Sequence, residues 1–221
     1  MAGGRLRGVD PFDPRTPDLT AVQGAYRTWA ADYVGLFGSA QKASAEERAV
    51  ITAWAGTVAG PVLDAGCGPG HWSAFLRSLG VQVEGVDATA AFVEHAARAH
   101  PGIPFRLEDL RTLTPAPQSL GGVLAWFSLI HLDPSEVPRV IRTFASALRP
   151  GGTLLVGFFS GPDLEPFDHR VVTAWAWPLH RMQRLVEIAG LEVLTSDEHP
   201  QPGGRVFAEL TARRPADAGR T

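Results

Sequence analysis

The residues best placed to do chemistry begin at Asp64-Ala65-Gly66-Cys67-Gly68-Pro69-Gly70, directly after the apolar run Pro61-Val62-Leu63. Glycine tolerates the positive φ angles and close backbone approach that a tight strand-to-helix loop needs. Such a loop brings backbone N–H groups and a helix N-terminus to the carboxyl edge of a sheet, where a cofactor can sit. A dinucleotide fingerprint needs glycines at its first, third and sixth positions. Counting from Gly66, the sixth position is His71, and the third glycine falls one place earlier, at Gly70. The spacing therefore argues against a nicotinamide site. Taken alone, the loop also fits a tight turn in some other α/β protein. Asp87 closes the next apolar run about 20 residues later, where a carboxylate can accept from two ribose hydroxyls.

Two further groups have acid–base or charge chemistry. His131 follows an apolar run at the carboxyl edge, and histidine titrates near neutral pH. It reads as a general base or acceptor contact, or else as a histidine packing the start of the next helix. Asp168-His169-Arg170 offers an oriented imidazole and a cation for a carboxylate or phosphate, or else simply solvated loop charges. His131-x-Asp133 has metal-ligand spacing, but no third ligand accompanies it, so no metal is expected. Cys67, between glycines, reads first as a small filler.

These groups need elements to hold them. Val22, Tyr26, Trp29, Tyr33 and Phe37 recur at helical steps. Ser44 and Glu47 have capping-box spacing for a second helix, ending before Gly60-Pro61. Strands then alternate with helices. Val62–Ala65, Val81–Asp87, Ile103–Leu107, Val123–Phe127 and Thr153–Phe159 read as strands, and 191–194 and 205–212 as the last two. Trp72 to Leu79, Phe92 to Ala97, Val137 to Leu148 and Leu179 to Ala189 give the helices. The run Val123-Leu124-Ala125-Trp126-Phe127 is apolar throughout, as a strand buried on both faces should be. The alternation predicts a doubly wound, mostly parallel α/β sheet.

Composition excludes several classes. The chain has 221 residues, 45% hydrophobic and 19% charged, with a net charge of −3. That suits one globular domain. Lys42 is the only lysine and no basic block exists, which disfavours nucleic acid as a partner. No apolar run approaches membrane-spanning length, and no signal peptide is read. A single cysteine makes a reducing cytoplasm the expected setting.

The Asp-x-Gly-x-Gly-x-Gly loop resembles the first motif of the class I S-adenosylmethionine-dependent methyltransferases. The resemblance extends along most of the chain. Phe105-Arg106-Leu107-Glu108-Asp109-Leu110 is similar to the family's adenine-binding signature, and Leu120–Leu132 to its fourth region. Leu148-Arg149-Pro150-Gly151-Gly152 is similar to the Pro-Gly-Gly turn before the fifth strand. Tyr26-Arg27-Thr28-Trp29-Ala30-Ala31-Asp32-Tyr33 resembles a lid segment, with Arg27 in place of the usual aspartate.

The resemblance implies a Rossmann-like sheet of seven strands with the last antiparallel. It implies a mobile arm at 1–19, a helical lid at 20–58, a core at 59–213 with an acceptor-side insertion near 160–178, and a disordered tail at 214–221. It implies S-adenosyl-L-methionine as cofactor, contacted by Tyr33, Asp64, Gly66, Cys67, Gly68, Asp87, Ala88, Asp109, Leu110 and Trp126, with S-adenosyl-L-homocysteine as product. The amino-methylation signature Asn/Asp-Pro-Pro-Tyr is absent, which moves the acceptor towards small molecules. Tyr26, His131, Phe158, His169, Arg170, Trp175 and Trp177 are the expected acceptor contacts. An aromatic wall would favour an apolar or aromatic metabolite. The alternative reading keeps fold and cofactor but assigns non-methylating chemistry such as a cyclase. The sequence is silent on oligomeric state.

Overall fold

The computed structural model describes residues 43–168, 173–201 and 205–216. The expected arm at 1–19, the helical pattern up to 42, Tyr26, Tyr33, His169 and Arg170 lie outside the described residues, as do residues 217–221 of the expected tail.

The first described helix, α1 (Ala45–Ala55), starts where the sequence marks it. Ser44 accepts from the Glu47 N–H at 3.0 Å, and Glu47 accepts from the Ser44 N–H at 2.9 Å. This reciprocal box satisfies two of the N–H groups that a helix start leaves open. The elements β1 (Val62–Ala65), α2 (His71–Ser78), β2 (Val83–Asp87), α3 (Ala90–Ala99) and β3 (Phe105–Leu107) follow in alternation. Then come β4 (Leu120–Trp126), a 3-10 turn (Leu129–His131), α4 (Val137–Ala147) and β5 (Leu148–Ser160). A hairpin, β6 (Glu165–Asp168) and β7 (Thr173–Ala176), precedes α5 (Leu179–Ile188), β8 (Glu192–Pro200) and β9 (Val206–Arg213).

Seven strands form one sheet in the order β3-β2-β1-β4-β5-β9-β8. The pairs from β3 to β5 are parallel, while β9 runs antiparallel to both β5 and β8. The expected doubly wound sheet with an antiparallel last strand is therefore the observed one. Every residue of β4 is buried, as its unbroken apolar run requires.

The sheet has a core on each face. One gathers Ile51 and Trp54 of α1, Trp72 and Leu76 of α2, and Leu124, Trp126, Leu155 and Phe207 of the strands. The other packs α4 and α5 on the sheet through Ile141, Phe144, Leu154, Phe158 and Val186. Alternation along β5 therefore sends Phe158 into a core.

Two details differ from the sequence reading. The segment expected as a loop through Asp168 is a hairpin, with Phe167 opposite Ala174 and Asp168 opposite Thr173. Arg214, assigned by sequence to the tail, instead belongs to the core. Its guanidinium donates to the carbonyls of Ala145, Ser146 and Leu148, and its N–H donates to Gly152.

Candidate active site

The carboxyl ends of β1, β2, β4 and β5 and the start of β9 meet at one edge of the sheet. The register pairs Ala65 with Val86, Trp126 with Gly157, and Ser160 with Val206. The glycine loop leaves this edge between β1 and α2. Gly66 and Gly68 have φ of +79° and +53°. A Cβ on Gly66 would lie 2.3 Å from the Ser128 Cβ, so the loops after β1 and β4 touch backbone to side chain there. A Cβ on Gly68 would meet nothing within 4 Å. Gly66 is thus fixed by packing, and Gly68 keeps an open space at the edge.

The loop's N–H groups are bonded inside the protein. The Val86 carbonyl accepts from the N–H of Gly66 at 2.8 Å and of Cys67 at 2.9 Å. Gly70 donates to the Cys67 carbonyl at 3.0 Å. Gly68 donates to the Asp87 carboxylate at 2.9 Å. The loop brings its N–H groups to the sheet edge as expected, but those of Gly66, Cys67, Gly68 and Gly70 are used inside the protein. The loop offers shape and acidic neighbours, because its donors hold β1 and β2 together.

Both acids named from sequence stand at this edge. Asp64 is buried, and Ser73 Oγ donates to it at 2.6 Å. Burial pushes its carboxyl up from 3.8 to about 7; the Ser73 hydrogen bond opposes that rise and the nearby Asp87 adds to it. No cation pairs with Asp64 among the described residues. Asp87 accepts from Thr89 at 2.8 Å as well as from Gly68. Burial raises its pKa too, against these hydrogen bonds. Asp87 therefore braces the loop, a role the sequence did not reveal.

The remaining cofactor-side candidates divide. Cys67 is buried, with its sulfur against Gly85, which bears out the filler reading of its side chain. Burial pushes its thiol well up. Asp109 is engaged by Arg111 through Nε at 3.0 Å and a terminal nitrogen at 2.7 Å. Leu110 is buried beside it in the α4 core. Ala88 follows Asp87 at the same edge. Trp126 ends β4 and donates from Nε1 to Glu47 at 3.1 Å, tying the sheet edge to α1.

The acceptor-side candidates lie at the ends of β4 and β5 and on the hairpin. His131 sits on the 3-10 turn, and its Nδ1 faces the Thr173 carbonyl at 3.5 Å. A carbonyl only accepts, so this approach favours a proton on Nδ1 and a lone pair on Nε2. The hairpin thus orients the one histidine that sequence singled out as a base. Phe158, expected to touch the acceptor, is instead fully buried. Side chains alternate along a strand, so its neighbour Phe159 faces the site, with its ring centroid 4.8 Å from that of Phe127 and 5.3 Å from that of Phe167. Trp177 is likewise a core residue at 3% exposure rather than an open wall, while Trp175 is half-buried. Neither indole N–H has a partner among the described residues.

Sequence reasoning missed Phe127, Ser128 and Arg205, and it chose Phe158 over its neighbour Phe159. Phe127 adopts φ +52°, which costs a bulky residue about 1–2 kcal/mol. Its N–H donates to Gly157 at 2.8 Å, and its ring lies against Trp126, Phe159 and Phe207. The turn it makes leads into Ser128, whose buried hydroxyl has no partner among the described residues. Strand parity in β5 was the available signal for Phe159. Nothing in the sequence signals the reversed φ at Phe127.

Residues 62–152 match a family model described as a methyltransferase domain. A probable S-adenosylmethionine-dependent methyltransferase of Mycolicibacterium smegmatis is 32% identical over 160 residues, covering 69% of this chain and 59% of that relative. Residues 62–152 are therefore a methyltransferase domain of the S-adenosylmethionine-dependent type, on the class I fold. It spans about half the length of the curated relatives it matches, at 59%, 50% and 42% of the first three. The 1,6-didemethyltoxoflavin-N1-methyltransferase of Burkholderia thailandensis, solved with 1,6-didemethyltoxoflavin and S-adenosylhomocysteine, shares the fold. Its TM-score is 0.76 at 21% identity, covering 94% of this chain and 93% of that one. The (4+2)-cyclase SpnF also has a TM-score of 0.76, at 19% identity, covering 91% and 98%.

The family's cofactor, S-adenosyl-L-methionine, fits what the methyltransferase edge offers. The space over Gly68, the buried Asp64 with no cation among the described residues and the half-buried Asp87 suit an aminoacyl cation and a ribose. Among the described residues, no group of three His, Cys, Asp or Glu side chains is placed to hold a metal, and no helix is long and apolar enough to cross a membrane.

Proposed function

We propose that the protein transfers a methyl group from S-adenosyl-L-methionine to a small-molecule acceptor. The observation that carries this reading is Asp64. It is a buried carboxyl with no cation among the described residues, beside an open glycine position and a second acid. An uncompensated buried acid is costly, and the ammonium of the cofactor's amino-acid end supplies the missing charge. In this reading Asp64 receives that ammonium and Asp87 accepts from the ribose hydroxyls. Gly68 leaves room for the chain between them, Gly66 lets the loop close on Ser128, and the Ala88 backbone lies alongside. Asp109 and Leu110 border the adenine, and Trp126 borders the methionine end. Tyr33 is the further cofactor contact that the family resemblance implies.

The bound cofactor supplies an electrophilic methyl whose leaving group is a neutral thioether, so no leaving-group acid is required. The protein's work is to hold the acceptor in line, about 3 Å from the methyl carbon. His131, with its lone pair on Nε2, removes the proton of a hydroxyl or ammonium acceptor. Phe159, Trp175 and the hairpin border the acceptor, and Tyr26, His169 and Arg170 are the further contacts that the family resemblance implies. The composition favours a small metabolite over nucleic acid, and the single buried cysteine favours a cytoplasmic setting.

The cyclase neighbour supports a second reading, with the same fold and cofactor but no methyl transfer. Calorimetry with S-adenosylmethionine and S-adenosylhomocysteine tests the shared part, and absence of binding would sink both readings. Label appearing in any metabolite of an extract supplied with methyl-labelled cofactor removes the cyclase alternative.

A further inference from the structure

Arg205 stands immediately before β9, at the sheet edge where β5 ends. Its carbonyl accepts from the Gln201 N–H at 2.7 Å, and the next residue, Val206, pairs with Ser160. The backbone that carries it is therefore part of the sheet. Its guanidinium carbon lies 5.8 Å from the centroid of Phe159 and 5.1 Å from that of Phe167. Those rings continue through Phe127 to Phe207, so the cation caps one end of an aromatic row.

Several alternatives to a binding role are weak. Arg205 is exposed, so it is not a core filler. Among the described residues it makes no ion pair, although Glu198 bonds to Ser160 nearby and acids lie on the hairpin. Arg106, Arg111 and Arg213 find acids, whereas Arg77, Arg142 and Arg181 make no ion pair among the described residues, so the seat over two rings is what distinguishes Arg205. Stacking on rings uses the face of a guanidinium and leaves its edge donors for a second partner. That fork matches a carboxylate with two parallel hydrogen bonds, and a guanidinium sheds water more readily than an ammonium.

We propose that Arg205 recognises a carboxylate on the acceptor, and that the acceptor is a planar, anionic small molecule lying along the Phe127–Phe159–Phe167 row. This rests on the methyltransferase reading and narrows its substrate class. Arg205 is a specificity residue here, holding the end of the acceptor remote from the reacting atom. A uniform binding contact of that kind raises KM without changing kcat when removed.

The test uses the full chain saturated with S-adenosylhomocysteine. Planar carboxylates (hydroxybenzoates, dihydroxybenzoates and hydroxycinnamates) are titrated against it by calorimetry, each beside its uncharged carboxamide. The wild type, Arg205→Ala and Arg205→Lys are compared. The expected result is that at least one acid binds, that its amide binds at least about tenfold more weakly, and that Arg205→Ala loses about tenfold for the acid alone. Arg205→Lys should recover part of the loss. Unchanged S-adenosylhomocysteine affinity in each variant shows that the fold and cofactor end are intact. Amides binding as well as acids, an Arg205→Ala variant indifferent to charge, or no acid binding at all would each overturn the proposal while leaving the methyltransferase reading standing. Failure of S-adenosylhomocysteine itself to bind would bring down that reading and this proposal with it.

Discussion

At the β1–β2 end of the site, the N–H groups of Gly66, Cys67, Gly68 and Gly70 are all bonded within the protein, and its acids are braced. At the hairpin end, the buried indole N–H groups of Trp175 and Trp177 have no partner among the described residues, and neither has the hydroxyl of Ser128 between the two ends. The first region is a closed network in which each residue fixes the next. The second is an aromatic row with open polar capacity. A closed network suits one ligand shared across a family, whereas an open one can be retuned for different acceptors without disturbing the sheet.

The sharpest way to break this contrast is at Gly66. Gly66→Ala meets Ser128 at an impossible distance and a strained φ. It should abolish S-adenosylhomocysteine binding in calorimetry and lower the melting temperature. Gly68→Ala should cost only about 1–2 kcal/mol in stability, since only its φ is unfavourable there. Equal damage to stability from both would contradict the packing described here.

At the other end, His131→Ala should lower kcat about 100-fold while leaving cofactor affinity within about twofold. A matched loss of cofactor binding would make His131 structural.

Asp64 yields the next effect. Its carboxyl holds a proton up to about pH 7 in the native state, against 3.8 unfolded. The native state therefore binds more protons between those values, so this group's stabilising contribution declines as pH rises from about 4 to 7 and then levels. Cofactor affinity should move the opposite way, rising with pH up to about 7 as the acid becomes ionised. Asp64→Asn should weaken binding about tenfold, and should flatten both profiles. A pH-independent wild-type Kd between pH 5 and 8 would refute this account.

The smallest change is Ser73→Ala. Loss of its hydrogen bond should cost about 1 kcal/mol and shift the affinity midpoint to higher pH. A midpoint that does not move would remove Ser73 from the network.

The two regions also differ in how far sequence revealed them. The cofactor end follows from local signals: glycine spacing, an acid closing each of two strands, and a capping box at Ser44 and Glu47. Those devices act within a few residues of themselves, so order along the chain is enough to read them. The acceptor end depends on contacts between distant segments. Phe158 and Phe159 look equivalent in sequence, and only the sheet's orientation decides which is core. His131 was recognisable as a base by type, but its orienting partner is Thr173, on a hairpin that carries no strong turn signal. Arg205 lies far from every motif, and becomes notable only when β9 brings it over Phe159 and Phe167. The brace from Asp87 to Gly68 was hidden for the same reason, since ribose chemistry already explained the acid.

One carboxylate described earlier has a practical consequence. Glu47 accepts from the Ser44 N–H with one oxygen and from the Trp126 indole with the other. Winding of the first turn of α1 and its attachment to the end of β4 therefore share a single switch. Trp126 becomes a native optical gauge of whether α1 is seated. Subtracting the emission of a Trp126→Phe variant isolates its signal among the six tryptophans, and that signal should change at the same denaturant concentration as the helical ellipticity.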